Sequence, residues 1–108
     1  WAVEPQNAAI LAGGTVSTHI QMGIGDGLIP KILNQDIYSD IYIVTDDEAL
    51  NTARDLARKE GLFCGVTSGT NVAAAIAMAK KLGPGKTVVT VLPDTAERYF
   101  STPLFHDE

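Results

Sequence analysis

Three short stretches carry the side chains that could do chemistry. Residues 64–71, Cys64-Gly65-Val66-Thr67-Ser68-Gly69-Thr70-Asn71, set a thiol and three hydroxyls around two glycines. Hydroxyl residues just ahead of an alanine-rich run are preferred helix N-caps, so Thr67 and Ser68 read first as caps. Cys64 lies in an apolar stretch, where a thiol is a small core residue rather than a nucleophile. Residues 23–27, Gly23-Ile24-Gly25-Asp26-Gly27, are glycine-rich, which lets backbone approach a ligand closely. Their spacing is not that of a dinucleotide fingerprint and no predicted strand leads directly into them, so the phosphate-binding signal is weak. Residues 93–99, Pro93-Asp94-Thr95-Ala96-Glu97-Arg98-Tyr99, follow a strand-like run, and the C-terminal edge of a parallel sheet is where a ligand crevice forms. Taken alone, Asp94 and Thr95 read as loop polarity and Arg98 as half of a surface ion pair. His19 and His106 are too far apart, and too poorly accompanied by Cys, Asp or Glu at ligand spacing, to predict a metal site; both read as surface residues.

The elements that must position these residues follow from periodicity. Residues 1–5 read as a strand, and Ile41-Tyr42-Ile43-Val44 as a short buried one. Residues 6–22 have no sustained period and predict loop or short helix on the surface. From Thr45 the pattern is helical: Thr45 caps, Glu48 completes a capping box, and Asp46 and Asp47 favour the positive end. Ala49, Leu50, Ala53, Leu56 and Ala57 share a face, Asp55 and Lys59 form a pair one turn apart, and Gly61 stops the helix near Glu60. A short strand over 62–66 then leads into a second helix that starts around 67–69 and ends at Gly83-Pro84-Gly85. Its alanine-rich first half lacks a polar face and predicts deep burial. Residues 87–92 are almost continuously β-branched, the pattern of a central parallel strand. This order predicts an α/β fold, a partial doubly wound parallel sheet with flanking helices.

Composition excludes more than it assigns. With 108 residues, 45% hydrophobic and 19% charged, the chain suits one domain with a core of modest size. A net charge of −5 without a Lys/Arg cluster argues against a nucleic-acid or anionic-membrane surface. The single cysteine forms no internal disulfide, and the apolar runs are too short for a membrane span, so the expected setting is cytoplasmic. There is no internal repeat. The chain opens without Met on Trp1-Ala2-Val3-Glu4-Pro5, a strand already in progress, which predicts a piece of a longer protein.

Five blocks in order carry a more specific signal: residues 2–5, 19–30, 45–49, 60–70 and 88–105. They resemble the pattern A-V-E-P, H-K-I-Q-G-I-G-A-G-F-I-P, S-x-x-E-A, E-G-I-x-x-G-I-S-S-G-A and V-V-x-L-P-D-S-G-E-R-Y-L-S-T-x-L-F. That pattern belongs to the cysteine synthases, or O-acetylserine sulfhydrylases, pyridoxal-phosphate enzymes of the tryptophan-synthase-β type (fold type II). The resemblance spans nearly all of the chain but only the C-terminal third of such an enzyme. It implies that residues 1–108 are the C-terminal segment of a pyridoxal-phosphate-binding catalytic domain.

The resemblance assigns roles residue by residue. Thr67 stands where the first serine of G-I-S-S-G meets the cofactor's pyridine nitrogen; a neutral hydroxyl there leaves that nitrogen largely unprotonated, whereas a carboxylate would protonate it. Ser68 keeps the cap reading. Gly23 is implied to be substrate-proximal, in the wall beside the ring, with Met22 where the pattern has glutamine. Asp94 and Thr95 match the segment that closes the ring pocket and are candidates for supporting it. Ala96 replaces a glycine, which predicts strain if the turn needs positive φ. Glu4-Pro5 is read as structural. The implied reaction of the whole enzyme is β-replacement, O-acetylserine plus sulfide or another thiol giving cysteine and acetate, in a homodimer. The lysine that binds the cofactor covalently, the substrate-carboxylate loop and the phosphate loop all lie upstream in the pattern. None of Lys31, Lys59, Lys80, Lys81 and Lys86 has a matching context, so no catalytic residue is assigned and the 108 residues alone are expected to be inactive. The rival expectations are a cystathionine β-synthase-like enzyme and a non-catalytic docking module that kept the fold. A truncated sheet also predicts self-association through its edge and the apolar ending at Tyr99, Phe100, Leu104 and Phe105.

Overall fold

A computed structural model describes residues 1–17, 19–21, 24–25 and 27–99, with only the backbone at Arg98 and Tyr99. The fold is α/β. Strand β1 (Ala2–Pro5) pairs in parallel with β2 (Ile41–Val44), in the register Ala2 to Ile41 through Pro5 to Val44. Helix α1 (Asp46–Glu60) follows β2 directly, α2 (Val66–Leu82) packs against α1, and a 3-10 turn covers Ala96–Tyr99. At the other end of the sheet Trp1 stacks on Tyr42, with ring centroids 5.4 Å apart, and the Lys81 ammonium lies 5.4 Å from the Trp1 ring, tying the C-terminal turn of α2 to β1.

Helix α1 forms as its local sequence dictates. The Thr45 hydroxyl accepts from the Glu48 N–H at 3.1 Å and lies 3.3 Å from the Glu48 carboxylate, and three acidic residues occupy the first turn. Gly61 closes the helix at φ +70°, and Lys59 meets Asp55 at 3.6 Å on the exposed face. Ala49, Leu50 and Ala53 enter the core with Val44, Val66 and Ala96, whereas Ala57 is exposed. Burying Val44 and Leu50 contributes about 2 kcal/mol each.

Other expectations are corrected by long-range partnering. Residues 87–92 form no strand: Val89 is 85% and Val91 65% exposed, because no described strand lies beside them to complete a ladder. The Asn71 side chain donates to the Val91 carbonyl at 3.0 Å. The strand expected over 62–66 shrinks to one antiparallel bridge, Cys64 to Thr95, and Val66 opens α2 instead. Ile43 is 39% exposed, so β2 is buried chiefly through Val44. In α2 the burial concentrates in the first turn and Ala74, while Ile76 faces outward. The segment expected on the surface over 6–22 is anchored inward by Ala8, Ala9 and Gln21. Glu4 is why: its carboxylate accepts from the Leu11 N–H at 2.8 Å and the Ala12 N–H at 3.3 Å, folding that loop back over the end of β1. His19 is half-buried rather than on the surface, and His106 lies outside the described residues.

Candidate functional site

The first turn of α2 is unusual in being wholly buried and wholly hydroxyl-bearing or small. Thr67 is 4% exposed, and Val66, Ser68 and Thr70 are fully buried. A helix start leaves its first N–H groups without intrahelical acceptors, and burial denies them water. The residue at the N-cap is Gly65, which has no side chain to offer. The acceptor comes from Asp94: one carboxylate oxygen takes the Ser68 N–H at 2.9 Å and the other takes the Thr67 N–H at 3.2 Å. The Ser68 hydroxyl also donates to the Asp94 carboxylate, and Gly65 N–H donates to the Asp94 carbonyl at 3.2 Å. A carboxylate at this position opposes the positive end of the helix and satisfies two orphan donors at once.

Thr67 and Ser68 are therefore not caps themselves. They lie inside the first turn, and the cap is supplied from 26 residues away. Asp94 holds the turn that carries Thr67. Thr95 is exposed and joins the arrangement only through its backbone bridge to Cys64. Ala96 is 2% exposed and carries no strain, since no residue other than glycine has positive φ among the described residues. Cys64 is buried beside this turn; burial first, and the nearby Asp94 charge second, push its thiol above its usual value and keep it protonated. The structure thus brings Cys64, Thr67, Ser68 and Asp94 together.

A second feature lies at the C-terminal end of β1. A cleft of about 150 Å³ is lined there by Glu4, Pro5, Ala8, Gly25, Gly27 and Leu28 among others. Gly25 has φ +70°, and a Cβ on it would stand 2.8 Å from Pro5 Cγ and 3.0 Å from both Ala8 Cβ and His19 Nε2. Only glycine lets the backbone pass this close, as the glycine-rich sequence suggested. Gly23 and Met22 lie outside the described residues. The side chain of Arg98 does too, as do Phe100, Leu104 and Phe105.

Sequence reasoning missed Gln21, which is fully buried and bonded to three elements. A glutamine beside a histidine in a glycine-bearing loop carries no periodic signal, and its burial depends on carbonyls and hydroxyls far along the chain. Among the described residues no cluster of His, Cys, Asp and Glu could hold a metal ion, and no helix is long and apolar enough to cross a membrane.

Comparisons with known proteins agree with this geometry. A cysteine synthase of Staphylococcus aureus (strain Mu50) is 48% identical over 104 residues, covering 96% of this chain and 34% of that protein. The crystal structure of a cysteine synthase from Entamoeba histolytica superposes with a TM-score of 0.92 at 34% identity, covering 99% of this chain and 32% of that one. An O-acetylserine-dependent cystathionine β-synthase from Helicobacter pylori matches with a TM-score of 0.88 at 36% identity, over 95% of this chain and 33% of that one. The chain therefore spans about a third of the length of these relatives. The sequence profile of the family described as "Pyridoxal-phosphate dependent enzyme" matches residues 1–94, and the chain belongs to that family.

Proposed function

We propose that residues 1–108 are the C-terminal segment of the catalytic domain of a cysteine synthase, whose whole length converts O-acetylserine and sulfide into cysteine and acetate. In that β-replacement the C–O bond to acetate breaks and a C–S bond forms at the same carbon. The observation that carries the reading is the buried Thr67 in a first turn held by Asp94, within a chain 48% identical to a cysteine synthase over 104 residues.

The donor set fits one end of pyridoxal phosphate. Asp94 is committed to helix N–H groups and the Ser68 hydroxyl, and the family resemblance assigns the neutral hydroxyl of Thr67, in the turn that Asp94 caps, to the pyridine nitrogen. None of the five lysines has a sequence context matching the cofactor-binding lysine of the pattern, so covalent attachment and phosphate binding are assigned to residues outside this segment. When bound, the cofactor supplies the electron sink that labilises the substrate's β-substituent. Thr67 donates to the ring nitrogen and, being neutral, does not hold it protonated, which moderates that sink. Asp94 fixes the turn from which Thr67 acts, and Thr95 continues the same loop. Gly23 is assigned to the wall beside the substrate.

Ile32, Val89 and Ile37 are 98%, 85% and 74% exposed, and we assign this apolar surface to contacts with the rest of the enzyme and with a second subunit of a cytoplasmic homodimer. The structural likeness to an O-acetylserine-dependent cystathionine β-synthase supports a second reading, in which the thiol is an amino-acid thiol rather than sulfide. Product analysis of the full-length enzyme supplied with O-acetylserine and either sulfide or homocysteine separates the two. Faster formation of cysteine supports the proposal, preferential cystathionine formation moves the assignment to the second reading, and no product from either leaves the non-catalytic module.

A further inference from the structure

Gln21 is the largest fully buried side chain in the structure, and every polar atom of its carboxamide is used. Its nitrogen donates to the Val44 carbonyl at 3.0 Å and to the Asp46 carboxylate at 3.1 Å, while its oxygen accepts from the Thr70 hydroxyl at 2.7 Å. One side chain thus joins the end of β2, the first turn of α1 and the first turn of α2. Asp46 reinforces the junction by accepting from the Ile20 N–H at 3.4 Å. Gly25 packs against Pro5, Ala8 and His19.

The partners are matched. The Gln21 oxygen and the Thr70 hydroxyl pair at 2.7 Å with both residues fully buried. Apolar packing fills space without specifying direction, whereas a satisfied buried polar pair fixes one arrangement and penalises every other. Thr70 lies one turn after Thr67, at a spacing that puts both on one side of α2.

We propose that Gln21 is a positioning residue: through Thr70 it sets the placement of the α2 turn that presents Thr67. This rests on the reading of Thr67 as the ring-nitrogen partner. The test uses the full-length enzyme with Gln21→Ile, Thr70→Ala and the double variant Gln21→Ile/Thr70→Ala. In the cofactor-free form, Gln21→Ile should speed amide hydrogen exchange at residues 66–70 about tenfold, the effect of losing one buried hydrogen bond and leaving the Thr70 hydroxyl only its longer bond to the Val66 carbonyl at 3.3 Å. The double variant removes the Gln21–Thr70 pair together and should regain part of that protection, while the Val44 carbonyl and the Asp46 carboxylate lose the Gln21 donor in both. In the loaded form, the absorption band of bound pyridoxal phosphate should be displaced in both single variants. Exchange that accelerates only at residues 19–21 overturns the proposal, as do single variants that both keep the parent spectrum. If the parent binds no pyridoxal phosphate, the reading of Thr67 fails and the cofactor-directed role of Gln21 fails with it. The exchange arm then still shows whether Gln21 holds the α2 turn.

Discussion

Replacing Gly69 by alanine sets two ordinary rules against each other, and the structure decides the sign. Gly69 lies in the first turn of α2 where that helix crosses α1. A Cβ built on it would stand 2.1 Å from the Ala49 carbonyl oxygen and 2.9 Å from the Ala53 nitrogen. Both obstacles are backbone, so no rotamer relieves the clash and the helices must part by roughly 1 Å. Ala49, Ala53 and Val66 would lose contact together, and overpacking at a rigid site costs about 3 kcal/mol. Helix propensity alone favours alanine over glycine by about 1 kcal/mol. The net expectation is a loss of about 2 kcal/mol, which lowers the urea midpoint by about 1 M for a chain of this size. Urea unfolding followed by far-ultraviolet circular dichroism reads this directly. A midpoint at or above the parent's would refute the reasoning, since it would mean that propensity outweighs the helix crossing.

Asp94→Ala should leave two buried N–H groups without their acceptor, while the Ser68 hydroxyl keeps the backbone carbonyl of residue 94, and cost about 2 kcal/mol by thermal unfolding, whereas Asp94→Asn keeps one acceptor and should cost about half as much. Equal, negligible losses would show that Asp94 does not cap α2. Cys64, buried and held protonated, should resist thiol labelling in the native chain at neutral pH and react fully in denaturant; fast native labelling would contradict its placement. Because its folded value lies above the unfolded one, the folded state holds the proton longer. The stability linked to Cys64 is complete below the unfolded value of 9.0 and is lost as pH rises toward the folded value. Cys64→Ala should flatten that alkaline decline, and an unchanged pH profile would contradict it.

What the sequence disclosed was local. The capping box at Thr45 and Glu48, the stop at Gly61 and the ion pair at Asp55 and Lys59 are interactions within one turn, and all stand where their spacing puts them. The two hydroxyls at the head of α2 misled for the same reason. Their sequence neighbourhood spells a cap, but Gly65 occupies that position and the acceptor arrives with Asp94. Residues 87–92 have the composition of a central strand, yet strands are made by their neighbours, and Val89 and Val91 face outward where none is described. Burial of Gln21 is likewise set by Val44, Asp46 and Thr70, 23 to 49 positions away. The family was legible through the order of its blocks, whereas the capping of α2 by Asp94 and the burial of Gln21 required the fold.

The most direct test of the account is nitrogen-15 nuclear magnetic resonance of the full-length enzyme loaded with pyridoxal phosphate labelled at the ring nitrogen. A resonance typical of an unprotonated, hydrogen-bonded pyridine that moves in Thr67→Val and is retained in Thr67→Ser is the predicted result. A pyridinium resonance in the parent, or one that Thr67→Val leaves unmoved, would contradict the assignment of Thr67 as the ring-nitrogen partner.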